Sequence, residues 1–232
     1  VQIEARPLDH RRRPGAKSSF IGHDGEQGSV EALALSHYAC EEGGGWRGLH
    51  AESSPWHMLW ALLMWEGGAL FKPVPGVFVH PFQSAPLDLD TPHFYEARRP
   101  EVDAVLERVR RGEAPALLEA VWAREAARRP FVAGCNWQRF DLAALRTLAQ
   151  SVGGHSLAAI CGLIAKDCRG WRAGMPDLFL WREAGAGGAH EGKFVEVKGP
   201  RDSLSDQQVA WLRELQGSGT VVEVMKVVEP KD

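Results

Sequence analysis

The alternation of apolar and polar positions predicts helices through most of the chain and strands mainly near its end. Apolar residues at three- and four-residue intervals predict one helix that starts after Ser29 and another that starts at 53–55, the second with one wide buried face. Further helices are predicted at 101–111, 114–128, 138–151 and 156–167. The prolines within 68–95 predict extended loops and turns.

Strand patterns occupy the last part of the chain. Short apolar runs bounded by Gly and Pro predict strands at 177–181, 193–198 and 220–228, the first two joined by a Gly-rich turn. A helix is predicted at 205–216 between the second and third strands. One more strand is expected near Val1–Ala5, within an otherwise irregular segment, 1–27. This order of elements predicts an α/β core preceded by a large helical portion.

Composition excludes several classes of protein. The chain has 232 residues, of which 44% are hydrophobic and 25% charged, as in ordinary globular proteins. No apolar run approaches ~18 residues, so no membrane span is expected. The four cysteines are widely spaced without a Cys-x-x-Cys pair, which predicts free thiols rather than a disulfide framework or a zinc site. The run Arg11–Arg13 is predicted to be a solvated tail.

Two of the predicted strands carry the residues best suited to chemistry. Asp177 opens the first strand, and Glu196 and Lys198 lie two residues apart on the second. Because strand side chains alternate between faces, Glu196 and Lys198 point the same way and Asp177 can meet them at one edge. Two carboxylates beside a lysine suit a divalent metal and a phosphate. Lys198 would orient a water or stabilise transition-state charge, unless it is merely an exposed strand residue.

Gln208 has two interpretations from sequence. Ser205-x-x-Gln208 matches a capping box, which alone explains both residues. Gln208 also heads the apolar stripe formed by Trp211, Leu212 and Leu215, which would direct its side chain toward the sheet and the carboxylates. Both interpretations stay open.

The motif Pro176-Asp177 followed by Glu196-x-Lys198 resembles that of the PD-(D/E)xK nucleases. The longer strings at 174–178 and 195–212 resemble the VRR-NUC branch and, within it, the Fanconi-associated nucleases. The resemblance extends upstream to 49–54, 83–89 and 98–100, and thus covers most of the chain. It implies a restriction-endonuclease-like α/β core with a large helical N-terminal portion, forming one VRR-NUC type domain over 28–232, helical at 28–168 and with the catalytic sheet at 169–232.

The resemblance also implies a reaction and a metal. The chain would be a metal-dependent, structure-specific DNA nuclease, a 5′ flap endonuclease and 5′–3′ exonuclease in the repair of interstrand cross-links. One or two Mg²⁺ or Mn²⁺ ions would be held by Asp177, Glu196, the carbonyl group of Val197 and Glu52. The alternative for Glu52 is a simple partner for a helix N-terminus.

Several polar residues acquire a role only through this resemblance. Gln83 would lie in the active site, the alternative being a loop amide bonded to backbone. Arg169 and Arg172 would receive a 5′-phosphate, which the planar arginine fork grips well. Gln207, with Gln208 beside it, would reach DNA, although the family carries a lysine at the position of Gln207.

The implied partner is branched or flapped DNA with a 5′-phosphate end, with no membrane involved. The chain begins with Val1 rather than Met, from which we expect the C-terminal part of a longer protein whose upstream regions could bind repair proteins. The implied location is intracellular, nuclear in a eukaryote and cytoplasmic in a bacterium. Two rival interpretations are another nuclease of the same fold, such as a junction resolvase or restriction-type enzyme, and a catalytically weak DNA-binding module.

Overall fold

The computed structural model describes residues 1–8, 18–184, 189–200 and 202–230. The Arg11–Arg13 run and the turn at 185–188 lie outside the described residues. The elements in chain order are β1 (Gln2–Glu4), β2 (Phe20–Ile21), β3 (Gln27–Gly28), α1 (Val30–Ala39), β4 (Arg47–His50), α2 (Ser54–Glu66), α3 (His93–Arg110), α4 (Ala114–Glu125), α5 (Leu142–Val152), α6 (Gly154–Lys166), β5 (Leu178–Ala184), β6 (Ala189–Lys198), α7 (Asp206–Gly217) and β7 (Val221–Val228). They form two compact units, a sheet unit (Val1–Glu52 with Gly174–Asp232) and a helical unit (Ser53–Ala173).

The sheet unit is built on a mixed five-stranded sheet in the order β1-β7-β6-β5-β4. Strand β5 runs antiparallel to β4 and β6, whereas β7 runs parallel to β6 and β1. Leu178 lies opposite both His50 and Val195, and Glu196 lies opposite Val224. This register brings the start of β5 and the end of β6 to the same edge of the sheet.

The two faces of the sheet are covered by different helices. Leu178, Val195 and Val197 pack with Ala34 and Tyr38 of α1 in one apolar cluster. The alternate residues of the strands face the other way, and α7 lies there, since its Gln208 side chain bonds Glu196. The predicted strand–helix–strand order at the end of the chain is therefore confirmed, as an α/β/α arrangement.

Three strands, β2, β3 and β4, were not predicted. The expectation that the first half of the chain contains a strand only near Val1–Ala5 is therefore wrong. Strands β2 and β3 have two residues each. Strand β4 reads Arg-Gly-Leu-His and pairs only with β5, so its single apolar residue gave no alternating pattern. A Cβ atom at Gly48 would lie 2.4 Å from Leu180 Cδ2, so a larger residue there would require the Leu180 side chain to move.

The helical unit contains all five helices expected there, with shifted boundaries. Helix α3 begins at His93 rather than residue 101 and includes Pro100. The early start is stabilised by a buried ion pair, in which Arg98 Nη1 and Nη2 lie 2.8 and 3.1 Å from the carboxylate oxygens of Asp88. Arg98 also stacks 4.5 Å above the ring of Phe94. Tertiary contacts thus override the local signal of Pro100 against a helix.

Helix α2 differs from its prediction in two ways. It begins at Ser54, and its N-cap is Ser53, whose side chain makes no capping bond. Its buried residues surround the helix instead of forming one face, so the prediction of a single buried stripe is wrong; they are Pro55, Trp56, Met58, Leu59, Trp60, Ala61, Leu62, Leu63 and Met64. A helix that is apolar all round forms the centre of its unit.

The chain leaves the sheet unit after Glu52 and re-enters it at Gly174. Near these two points, the N–H groups of Ala51 and Glu52 both donate to the Asp177 carbonyl oxygen, at 2.8 and 3.2 Å. The division predicted at residue 168 stays a prediction about domain organisation. The free thiols are confirmed: Cys161 and Cys168 are buried, whereas Cys40 and Cys135 are half-buried.

Within the described part of the chain, no helix on its own is long and apolar enough to cross a membrane. Helices α5 and α6 meet that criterion only when taken together, with a bend of 105° between them.

Candidate functional site

Asp177 is fixed at the start of β5 by the neighbouring strand. Its Oδ2 accepts a hydrogen bond of 2.8 Å from the backbone N–H of Val197. Burial raises the pKa of Asp177 above its ordinary value, the Val197 N–H group opposes that rise, and Glu31 adds to it. The strand thus fixes the direction of one carboxylate oxygen of Asp177.

Glu196 is a fully buried carboxylate in the middle of the site. Its Oε1 accepts a bond of 2.6 Å from Gln208 Nε2 and lies 2.8 Å from Lys198 Nζ. Its Oε2 is buried without a hydrogen-bond partner. Burial raises the pKa of Glu196 to about 7; Lys198 opposes the rise and the Asp177 carboxylate adds to it. A buried, unpartnered carboxylate oxygen is costly unless a ligand satisfies it.

Lys198 and Gln208 complete this cluster. Lys198, whose side chain is 12% exposed, donates to Gln208 Oε1 at 3.0 Å. The same oxygen accepts from the Ser205 backbone N–H at 3.0 Å, and Ser205 Oγ accepts from the Gln208 N–H at 3.3 Å. Both interpretations of Gln208 therefore hold together, because one side chain closes the capping box of α7 and contacts the predicted site residues.

Glu52 lies close to these residues but points elsewhere. Its backbone adopts a φ of 44°, its side chain is 66% exposed, and its Oε1 lies 3.2 Å from His50 Nε2. The donor atoms that do gather around Asp177 belong to Glu31 and His50, all three lying within 4.8 Å of one another. The structure thus adds two residues that the sequence reasoning missed.

The signals for those two residues were weak. His50 stands in the string 49–54 that carries the family resemblance, so it could have been singled out there. Glu31 occupies the first turn of α1, where a carboxylate normally serves the helix N-terminus. Only the fold reveals that this turn lies beside Asp177.

Gln83 has an entirely local set of contacts in the helical unit. Its Nε2 donates to the carbonyl oxygens of Val77 and Ala85, at 2.9 and 3.2 Å. Its Oε1 accepts from the backbone N–H groups of Val79 and His80. These bonds are those of a loop amide, the structural alternative stated above. An active-site role for Gln83 stays a prediction.

The predicted phosphate-binding residues are distributed over both units. Arg169 is exposed, after α6. Arg172 forms an ion pair with Asp90 and contacts the Cys168 thiol, which together raise the pKa of its guanidinium. Gln207 lies on the exposed side of α7. The three residues stay predictions as DNA ligands.

The donor set fits a hard divalent cation. It offers the Asp177 carboxylate, the unpartnered Oε2 of Glu196 and the nearby Glu31 carboxylate. Carboxylate oxygens are the donors that Mg²⁺ and Mn²⁺ prefer, and an imidazole such as that of His50 is also compatible with Mn²⁺.

Comparison with known proteins extends this picture. A VRR-NUC domain model matches residues 113–229, just over half of the chain. The chain is 47% identical over 227 residues to the Fanconi-associated nuclease 1 homologue of Oryza sativa subsp. japonica, covering 98% of this chain and 23% of that protein. It is 37% identical over 231 residues to Fanconi-associated nuclease 1 of Homo sapiens, covering 94% and 22%. The chain thus spans about a quarter of the length of these relatives.

A solved structure has the same fold. The crystal structure of paFAN1 bound to 2nt 5'flap DNA with gap superimposes with a TM-score of 0.77 at 27% identity, covering 97% of this chain and 40% of that one. The predicted PD-(D/E)xK-type α/β fold is thereby confirmed.

Proposed function

Since the chain belongs to the VRR-NUC domain family, we propose that it is a metal-dependent, structure-specific DNA nuclease. The observation that carries this proposal is the buried Glu196 carboxylate near Asp177 and Lys198. Its Oε2 has no hydrogen-bond partner. A residue kept in this costly state points to a ligand-binding role. The intact Asp-Glu-Lys set argues against a catalytically weak DNA-binding module.

The ion of this proposal is Mg²⁺ or Mn²⁺. Asp177 and Glu196 would hold it, joined by the Val197 carbonyl group and Glu52, with Glu31 and His50 as further donors near Asp177. When bound, such an ion polarises a phosphodiester and makes water a better nucleophile. For Glu52 to contribute, its side chain has to leave His50, which its 66% exposure permits.

Lys198 is the group we assign to charge stabilisation. Its Nζ lies between Glu196 Oε1 and Gln208 Oε1, at 2.8 and 3.0 Å, so its position is fixed by two acceptors. A preorganised cation stabilises the charge that grows on the non-bridging oxygens of a phosphate. Orientation of the attacking water is the second role open to it. Gln208 positions both Lys198 and Glu196.

Flapped or branched DNA is the proposed substrate, with cleavage as a 5′ flap endonuclease and 5′–3′ exonuclease. The support is the similarity to paFAN1, whose crystal structures hold 5′ flap DNA. Arg169, Arg172 and Gln207 are the proposed contacts to a 5′-phosphate. Arg172 would have to share its guanidinium with Asp90, so Arg169 is the stronger candidate.

The proposed setting is DNA repair, including interstrand cross-links, inside the cell and in the nucleus of a eukaryote. The support is the 47% and 37% identity to the two Fanconi-associated relatives. Binding of repair proteins would involve parts of the longer relatives that this chain does not span. A junction resolvase or restriction-type enzyme is the second candidate, because the PD-(D/E)xK fold is compatible with either activity.

The test is cleavage of a labelled 5′ flap duplex by the full chain with Mg²⁺, with Mn²⁺ and with a chelator. We expect metal-dependent cleavage that Glu196→Gln and Asp177→Asn abolish. Glu191→Gln is the matched control, because Glu191 lies on the same strand but pairs with Arg182 at the surface. Cleavage that survives in either site variant, or that needs no metal, contradicts the proposal. Preferred cutting of a four-way junction would favour the second candidate.

A further inference from the structure

Three side chains with nitrogen or sulfur donors meet in the sheet unit and share no residue with the carboxylate site. His23 lies in the turn between β2 and β3, and His37 and Cys40 lie at the end of α1. Their donor atoms all lie within 4.8 Å of one another. We propose that His23, His37 and Cys40 form a structural binding site for a zinc-type divalent cation.

The backbone around these residues is already fixed. Ser36 Oγ accepts from the His23 backbone N–H at 3.0 Å and donates to the Leu33 carbonyl oxygen at 2.8 Å, which ties the turn to α1. His37 and Cys40 are three residues apart at the helix end and so share one side of it. The two imidazole rings lie 5.2 Å apart, between centroids. Binding would therefore order side chains rather than backbone.

His37 has the properties expected of a metal ligand. Its Nδ1 is buried and has no hydrogen-bond partner. Burial lowers the pKa of His37, with a further contribution from His23, opposed by Glu42 and reinforced by Lys193. The imidazole is thus neutral at pH 7, the state in which it binds a metal.

Cys40 supplies the third donor once its thiol gives up a hydrogen bond and its proton. Its thiol now donates to the His37 carbonyl oxygen at 3.0 Å. On binding, the S–H proton passes to solvent and the thiolate binds the cation. Zn–N bonds of about 2.0–2.1 Å and a Zn–S bond of about 2.3 Å require the donors to approach by small side-chain rotations.

The donor chemistry selects the ion. Two imidazoles and a thiolate favour Zn²⁺ strongly over Mg²⁺, and three protein ligands leave a fourth position for water. The cation would join the β2–β3 turn to the end of α1. The opposite end of that helix carries Glu31, beside Asp177. The proposed ion would therefore stabilise the helix that presents Glu31.

Co²⁺ titration of the full chain tests the proposal, because cobalt bound to a thiolate gives a charge-transfer band that oxygen and nitrogen ligands do not give. The carboxylate site has no sulfur donor, so its occupancy cannot produce the band. We expect one equivalent of Co²⁺ to develop the band, excess Zn²⁺ to abolish it and excess Mg²⁺ to leave it. Cys40→Ser should remove it, whereas Cys135→Ser, at the other half-buried cysteine, should keep it.

Affinity and activity give the second readout. His23→Ala, which alters an exposed side chain, should weaken Zn²⁺ binding by at least about tenfold. Cys40→Ser should keep Mg²⁺-dependent cleavage, so that failure here is distinct from failure of the nuclease proposal. A parent chain without the band, or a band that persists in Cys40→Ser, overturns the inference.

Discussion

At the scale of single residues, the side chains of the predicted site leave part of their hydrogen-bonding capacity unused. Glu196 gives Oε1 to Gln208 and Lys198, while its Oε2 lacks a partner. The Glu196 residue is fully buried. Substitution by alanine would therefore leave a cavity as well as remove a ligand, and Glu196→Gln is the cleaner variant.

Lys198→Ala should lower the single-turnover rate of cleavage by at least about 10²-fold, because a fixed cation beside the developing charge is lost. DNA affinity should change little, since one phosphate contact among several is removed. The control is Lys226→Ala, because Lys226 lies opposite Lys198 on β7 but is exposed. A variant that cleaves at the parent rate would assign Lys198 to structure alone.

The metal-free protein should become less stable as pH rises from about 4.5 to about 7. Over this window the folded state still holds the proton of Glu196, whose pKa is raised from 4.5 to about 7 by burial, whereas the unfolded state has released it. Thermal melts in chelator at pH 5 and pH 8 measure the loss, and Mn²⁺ should restore stability mainly at pH 8. Glu196→Gln should reduce the dependence of the melting temperature on pH. If the variant and the parent lose the same stability between pH 5 and pH 8, the effect does not come from Glu196.

At the scale of elements, sequence patterns located most helices and the strands that carry the predicted site, but misplaced elements that depend on tertiary contacts. Strands β5, β6 and β7 were recognisable because Gly and Pro bound their apolar runs. Strand β4 was not recognisable, since backbone hydrogen bonds pair it with β5 and Gly48 allows the Leu180 side chain to approach closely. The first turns of α3 were hidden by Pro100, because they are held by the pair of Arg98 with Asp88, which lies outside the helix.

That ion pair gives a prediction for α3. Arg98→Met should destabilise the protein by about 3–5 kcal/mol, because Asp88 is left as a buried, unpaired charge. Denaturant unfolding measures the loss, and adding Asp88→Leu should recover part of it. Arg99→Ala is the control, since Arg99 is 70% exposed and lies 3.5 Å from Asp103. Equal losses of unfolding free energy in Arg98→Met and Arg99→Ala would show that the buried ion pair stabilises the protein no more than an exposed one.

At the scale of the whole molecule, family membership and the fold were readable from the motif strings at 174–178 and 195–212, and the family match confirms them. The arrangement of the predicted site residues was readable in part. Hydrogen bonds and an ion pair join Glu196, Lys198 and Gln208, and Asp177 lies near Glu196, because strand alternation and the capping box determine their directions. Glu31 could not be found, since its proximity to Asp177 depends on where α1 packs on the sheet, and His50 was indicated only by its place in the string 49–54.

Recognition of a DNA end also belongs to this scale. Arg169→Ala should weaken binding of 5′-phosphorylated flaps and lower the slope of log affinity against log salt by about one. The same flap without its 5′-phosphate is the control and should be bound almost equally by the parent and the variant. Binding curves over a range of salt measure both. A variant that keeps the full preference for the phosphate would place that contact elsewhere.

The hydrogen bonds from Ala51 and Glu52 to the Asp177 carbonyl oxygen have a consequence for how such a protein can change over evolutionary time. The helical unit is a segment of 121 residues, Ser53–Ala173, inserted between the antiparallel strands β4 and β5. Its two ends therefore lie close together. Insertions whose ends already meet are tolerated well, because closing them costs little whatever their length. The helical unit can therefore lengthen, shrink or be exchanged for another module while the strand that carries Asp177 keeps its register.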